Sequence, residues 1–91
     1  MLPPTRARVM RAFGKTIRNL RKRAGISQQD LALEAKMSIR HMSALELGER
    51  SPRIDTVTRL LYALKISWIT YSAEFEAHLR SEKNNNRHLN S

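Results

Sequence analysis

The side chains in this sequence best placed to do chemistry are cations and short polar donors. Arg6, Arg8, Arg11, Lys15, Arg18, Arg21, Lys22 and Arg23 all fall within the first 27 residues, where no acid occurs. Such a run draws polyanions, either nucleic acid or an acidic membrane surface. Further on, Gln28, Ser38, Arg40, His41 and Ser43 supply hydrogen-bond donors over a span of 16 residues. Catalysis finds no comparable set. His41, His78 and His88 have no HxxxH spacing, and no carboxylates are paired for acid–base work. Gly14, Gly25 and Gly48 make no phosphate loop, and cysteine is absent. The expectation is a non-enzyme without metal or cofactor.

The whole chain bounds this reading. Its 91 residues suffice for one core, and 41% hydrophobic with 27% charged residues is a globular balance. Seventeen Lys and Arg against eight Asp and Glu give +9, but unevenly. Residues 1–27 hold eight bases and no acid, residues 28–54 four of each, and residues 55–91 five bases and four acids. The longest apolar run, Leu60 to Leu64, is far short of the ~20 residues that span a bilayer. With no cysteine and no visible secretory signal, a cytoplasmic protein is expected.

The elements that must position these groups are helical. Apolar residues recur at spacings of three and four, and nothing alternates with period two for long. A first helix over about 6–24 carries the stripe Val9, Phe13, Ile17, Leu20 and Ala24, with Gly25 placed to close it. Ser27 caps a second helix over 28–36, and Ser38 a third over 39–47 that stops at Gly48. Pro52 breaks the chain before a fourth helix over 55–64, which buries Val57, Leu60, Leu61 and Leu64. Ser67 caps a fifth over 68–80. The fold class is all-α, with an N-terminal arm at 1–4, a domain at 5–80 and a frayed polar tail at 81–91.

The two short helices at 28–36 and 39–47 flank a tight turn, the arrangement in which a second helix can enter a DNA major groove. The sequence here resembles the lambda-repressor and Cro type of helix-turn-helix regulator, also called the XRE family. The likeness runs through Phe13-Gly14-x-x-Ile17-Arg18-x-Leu20-Arg21 and Gly25-Ile26-Ser27-Gln28-x-x-Leu31-Ala32. It continues in Met42-Ser43-x-Leu45-Glu46-x-Gly48-x-Arg50-x-Pro52, Thr56-Val57-x-x-Leu60 and Ala63-Leu64-x-Ile66. It implies a five-helix domain binding double-stranded DNA as a homodimer on a palindromic operator. Controller proteins of restriction–modification systems are of similar length.

The resemblance also implies roles. Gln28 binds a phosphate, and the first, second and sixth residues of the third helix, Ile39, Arg40 and Ala44, face base edges. Arg40 is the one long donor among them, suited to guanine O6 and N7 or to a phosphate. His41 and Ser43 go to phosphates, Arg50 and Arg53 to the backbone or minor groove, and Ser38 is counted among the DNA-binding residues. Arg21 pairs with Glu46 rather than with DNA. Lys36 departs from the pattern, which usually has glycine in that turn. Ile69, Tyr71 and Phe75 are assigned to a dimer interface and Trp68 to the core, since one small core can hardly hold all four. The alternative function is an antitoxin that binds a toxin and represses its own promoter. No membrane association and no small-molecule effector are expected.

Overall fold

The computed structural model of the chain describes residues 2–84. Five α-helices and no strand are found among them: α1 (Arg6–Arg23), α2 (Gln28–Glu34), α3 (Ile39–Glu46), α4 (Ile54–Leu64) and α5 (Trp68–Ser81). Thr5, Ser27, Ser38 and Ser67 open four of them, each hydroxyl accepting from the backbone N–H three residues on. α4 starts after Arg53 without a side-chain cap and carries Asp55 in its first turn instead.

The closures of α1 to α4 repeat one device. Each ends on one residue of left-handed backbone: Gly25, Lys36, Gly48 and Lys65, at φ 70°, 59°, 74° and 58°. After α2, the Lys36 N–H returns to Leu33 O and the Met37 N–H to Ala32 O, a Schellman closure that satisfies the last carbonyls. Lysine in this conformation costs about 1–2 kcal/mol that glycine avoids. However, α2 and α4 have no base in their last turn. Lys36 and Lys65 place a cation beside those negative helix ends, worth about 0.3–1 kcal/mol in return.

α1 packs against both α3 and α5, and α2 against α3 and α4. Phe13, Ile17 and Leu20 meet Leu31, Met42, Leu45, Leu60, Leu61 and Tyr71 in one core. The stripe on α1 is shorter than its periodicity suggests, because both helix ends overhang the core. Ala24 is exposed and Val9 half-buried. At Gly14 the helices touch backbone to backbone: a Cβ there would stand 2.5 Å from Glu46 O and 2.6 Å from Leu45 O.

Three expectations about the C-terminal part are corrected. Tyr71, expected at a dimer interface, is 9% exposed and lies in the core, whereas Trp68, expected in the core, is 43% exposed. The Tyr71 ring lies between Trp68 and Phe13, both edge-on, and Phe75, stacked at 5.7 Å. Trp68 opens the helix and stands at the rim. Burial pushes the Tyr71 phenol up to about 12. The tail is also not frayed where it is described. Ser81 is helical, and Glu82 to Asn84 are fastened to α1, with the Thr5 N–H donating to Asn84 Oδ1 at 2.9 Å. Residues 85–91, with His88, and Met1 of the arm lie outside the described residues.

Candidate nucleic-acid interface

The candidate surface is built from the α2–turn–α3 unit. Buried Met42 and Leu45 hold one side of α3 inside, so Ile39 and Arg40 must face out. Ile39 is 47% exposed, an apolar side chain standing in solvent beside a guanidinium. Ser43, Ala44 and His41 flank it, half-buried. The Ser38 hydroxyl accepts from the His41 N–H at 3.0 Å and keeps its O–H proton for a phosphate oxygen. Ser38, Arg40, His41 and Ala44 line a shallow groove together with Glu49 and Arg50. The acid at Glu49 was not anticipated, and it places a negative charge in a groove read as anion-binding.

The position of α3 is set by one carboxylate. Glu46 Oε2 accepts from Arg21 Nε at 2.6 Å, and its Oε1 accepts from Arg21 NH2 at 3.1 Å and from Gln28 Nε2 at 2.8 Å. Arg21 NH1 also donates to Ile26 O at 3.0 Å. Both charged side chains are largely out of water. Three helices therefore converge on Glu46. Gln28 begins α2 but spends one amide hydrogen on this clamp, leaving one for a phosphate.

Arg50 and Arg53 are exposed in the loop between α3 and α4. Arg53 is already engaged: its Nε donates to Asp55 Oδ1 at 3.2 Å, and Arg59 donates to the other oxygen at 3.0 Å. The hydrogen bond from Arg59, then that from Arg53, holds the Asp55 carboxyl below its ordinary range. The structure thus gathers Ser38, Arg40, His41, Ala44 and Arg50 along one groove, while Ile39 stands next to it beside Gln29, Leu33 and Met37. Gln28 sits on the Glu46 clamp, and Tyr71 is removed to the core.

The N-terminal cations are less free than a count suggests. Arg11 Nε donates to Glu82 Oε1 at 2.8 Å, Lys15 pairs with the same carboxylate, and Arg23 NH2 donates to Glu74 Oε1 at 2.7 Å. Arg8 Nε donates to Leu79 O at 3.0 Å. With Arg21 on Glu46, five of the eight cations have partners among α3, α5 and residue 82. Three distant carboxylates have been brought to them by the fold. No sequence spacing announces this, because the partners lie 25 to 71 residues away.

Other residues were missed altogether. Ile54, the first residue of α4, and Tyr62, on its outer side, are 73% and 80% exposed. The amphipathic pattern that gave the core side gives Tyr62 by difference, whereas Ile54 follows the core spacing and is exposed by its place at the helix end. Among the described residues no helix is long and apolar enough to cross a membrane, and no three potential ligands are grouped to hold a metal.

A family model described as a helix-turn-helix domain matches residues 12–67. No curated protein matches significantly. Among solved structures, the clp gene regulator ClgR from Corynebacterium glutamicum is 22% identical. That match covers 79% of this chain and 77% of that one, with a TM-score of 0.76. The wild-type restriction–modification controller protein C.Esp1396I is 18% identical over 79% of this chain and 95% of its own, with a TM-score of 0.75. The same controller, solved as a tetramer in complex with its natural 35 base-pair operator, gives a TM-score of 0.74 at 18% identity, over 79% of this chain and 95% of that one.

Proposed function

The chain belongs to the helix-turn-helix domain family, and from that membership we propose that it is a cytoplasmic regulator of transcription that binds double-stranded DNA sequence-specifically. It acts as a homodimer on a palindromic operator, with α3 in the major groove. The observation that carries this reading is the outward face of α3. Ile39 and Arg40 stand exposed at its start while Met42 and Leu45 anchor its other side. Arg40 reads a guanine edge, and Ile39 and Ala44 make apolar contact, as with a thymine methyl. Ser38, His41, Ser43, Gln28, Arg50 and Arg53 contact the phosphate backbone. The operator complex of C.Esp1396I, a structure of the same fold, supports the partner class.

One α3 reaches only one half-site, and two copies about 34 Å apart would read a palindrome. The exposed apolar side chains favour such a pairing. Ile69 is 82% exposed on α5, with Phe75 half-buried beside it, and Ile54 and Tyr62 add two more on α4.

Two measurements test the proposal. A gel shift over a salt series, using the DNA immediately upstream of the gene, should show saturable binding to a palindrome that weakens steeply as salt rises. Equal binding to every duplex would remove sequence-specific regulation. Sedimentation at high micromolar concentration, with and without that DNA, should give a dimer. A monomer in both would remove the paired reading, and a complex with a co-encoded toxin would favour the antitoxin alternative.

A further inference from the structure

We propose that Arg11 and Lys15 form a second phosphate-binding site for the duplex backbone, occluded in the free chain by the carboxylate of Glu82. The proposal rests on the DNA-binding reading above. Glu82 presents its two oxygens to two different cations: Oε1 to Arg11 Nε at 2.8 Å and Oε2 to Lys15 Nζ. A phosphodiester offers the same feature, two anionic oxygens on one centre, so a pair of cations that grips one can grip the other. Arg11 is further held by Lys83 O, 2.7 Å from its NH2.

The location favours a duplex as the competing anion. A Cβ on Gly48 would stand 3.1 Å from Arg11 Cα and 3.2 Å from its Cγ, so Arg11 lies directly under the loop that follows α3. That loop carries Arg50 and Arg53. From Arg11 the cations Lys15, Arg18 and Lys22 follow at i+4, i+7 and i+11, along one side of α1. Lys15, Arg18 and Lys22 are exposed, and neither Arg18 nor Lys22 has an acidic partner among the described residues.

Glu82 is also built to let go. It is the C-cap of α5, its N–H still donating to His78 O while ψ 145° turns the chain out of the helix, so rotation of its side chain alone frees the cations without unwinding α5. The hydrogen bonds from Lys15 and Arg11 hold its carboxyl below the ordinary range. The mask is therefore charged at neutral pH and does not open by protonation there.

The test is the salt dependence of binding to a random-sequence duplex by the full chain and by Glu82→Gln. Each cation newly engaged with phosphate steepens the slope of log K against log salt by about 0.9, so the variant should exceed the wild type by up to about 2. Adding Lys15→Ala to Glu82→Gln should take back about one of those units. A Glu82 that only ties α5 to α1 would lower Tm and leave the slope alone, and that result overturns the proposal. Should Glu82→Gln be unfolded at the assay temperature, Glu82→Asp retains the charge on a shorter reach. Its slope should rise by about one, and an unchanged slope in that folded variant is equally fatal. A wild-type chain that binds no duplex at low salt would instead defeat the DNA-binding reading itself.

Discussion

Arg21 and Glu46, 25 residues apart in sequence, meet in a two-point contact with Nε–Oε2 at 2.6 Å and NH2–Oε1 at 3.1 Å. Their side chains are 12% and 3% exposed. An exposed pair contributes about 1 kcal/mol or less, whereas removing one partner of a buried pair strands the other charge. Arg21→Ala is therefore expected to cost about 3–5 kcal/mol, read from the urea midpoint. The double change to Arg21→Met and Glu46→Leu should recover most of that loss. An Arg21→Ala midpoint equal to wild type would show that the pair is not holding α3.

Gly14 inside α1 and the residues of the turns meet two kinds of backbone demand. Gly14→Ala drives a methyl group into the Glu46 and Leu45 carbonyls and should destabilise by about 1–3 kcal/mol or more. Gly25→Ala meets no atom within 4 Å and should cost only the left-handed penalty, about 1–2 kcal/mol. Lys36→Gly runs the other way. It removes that strain but also the cation at the end of α2, for a net gain of about 0.5–1 kcal/mol that grows with salt. Chemical denaturation at two ionic strengths distinguishes the three.

Acid should erode stability through identifiable groups. The folded carboxyls of Glu82 and Asp55 lie below their ordinary values of 4.5 and 3.8. Between the ordinary and the lowered values the unfolded chain binds more protons, so stability rises with pH there. The contribution is fully present above the ordinary values and is lost as pH falls through the lowered ones. Urea midpoints taken from about pH 6 to about pH 2 should show this limb, and Glu82→Gln should flatten part of it. A limb identical in the two proteins would exclude Glu82 as a source.

Arg40 and Gln28 should fail differently in DNA binding. Arg40→Ala is expected to lose about 1–3 kcal/mol at one base position and relax preference there. Gln28→Ala should weaken all sequences about equally. It should also lower Tm, because the Gln28 amide supports Glu46 at 2.8 Å. Competition gel shifts with single-base operator variants, run beside thermal melts, separate the two behaviours. Equal losses on every variant for Arg40→Ala would move that residue from base to backbone.

Local rules made much of the fold legible. Serine caps at 27, 38 and 67, glycines at 25 and 48, and the 57-60-61-64 stripe each act within a few residues. The all-α, five-helix class follows from these signals. What was not legible depends on partners far along the chain. Trp68, Tyr71 and Phe75 share one side of a helix by spacing, so periodicity cannot say which ring goes deepest. Phe13, from the other end of the chain, decides for Tyr71. Segment charges misled for the same reason. Glu46 belongs electrostatically to α1, so the neutral stretch at 28–54 loses an acid to Arg21 and is more positive at its surface than its sum. On α1, Glu46, Glu74 and Glu82 compensate three of the eight charges.

The bonds from the Thr5 N–H to Asn84 Oδ1 and from Asn84 Nδ2 to Pro3 O bring positions 79 and 81 residues apart together at one corner of the molecule. Topologically, residues 3–84 are almost a ring. A short peptide joining that corner would bridge a gap hydrogen bonds already span, and the chain could be reopened between Lys65 and Ser67 at the cost of the local closure there, where Ile66 N–H meets Leu61 O and its side chain rests on the core. A circular permutant of this kind would bring α5 out of the ribosome before α1 without altering the surface that α3 presents.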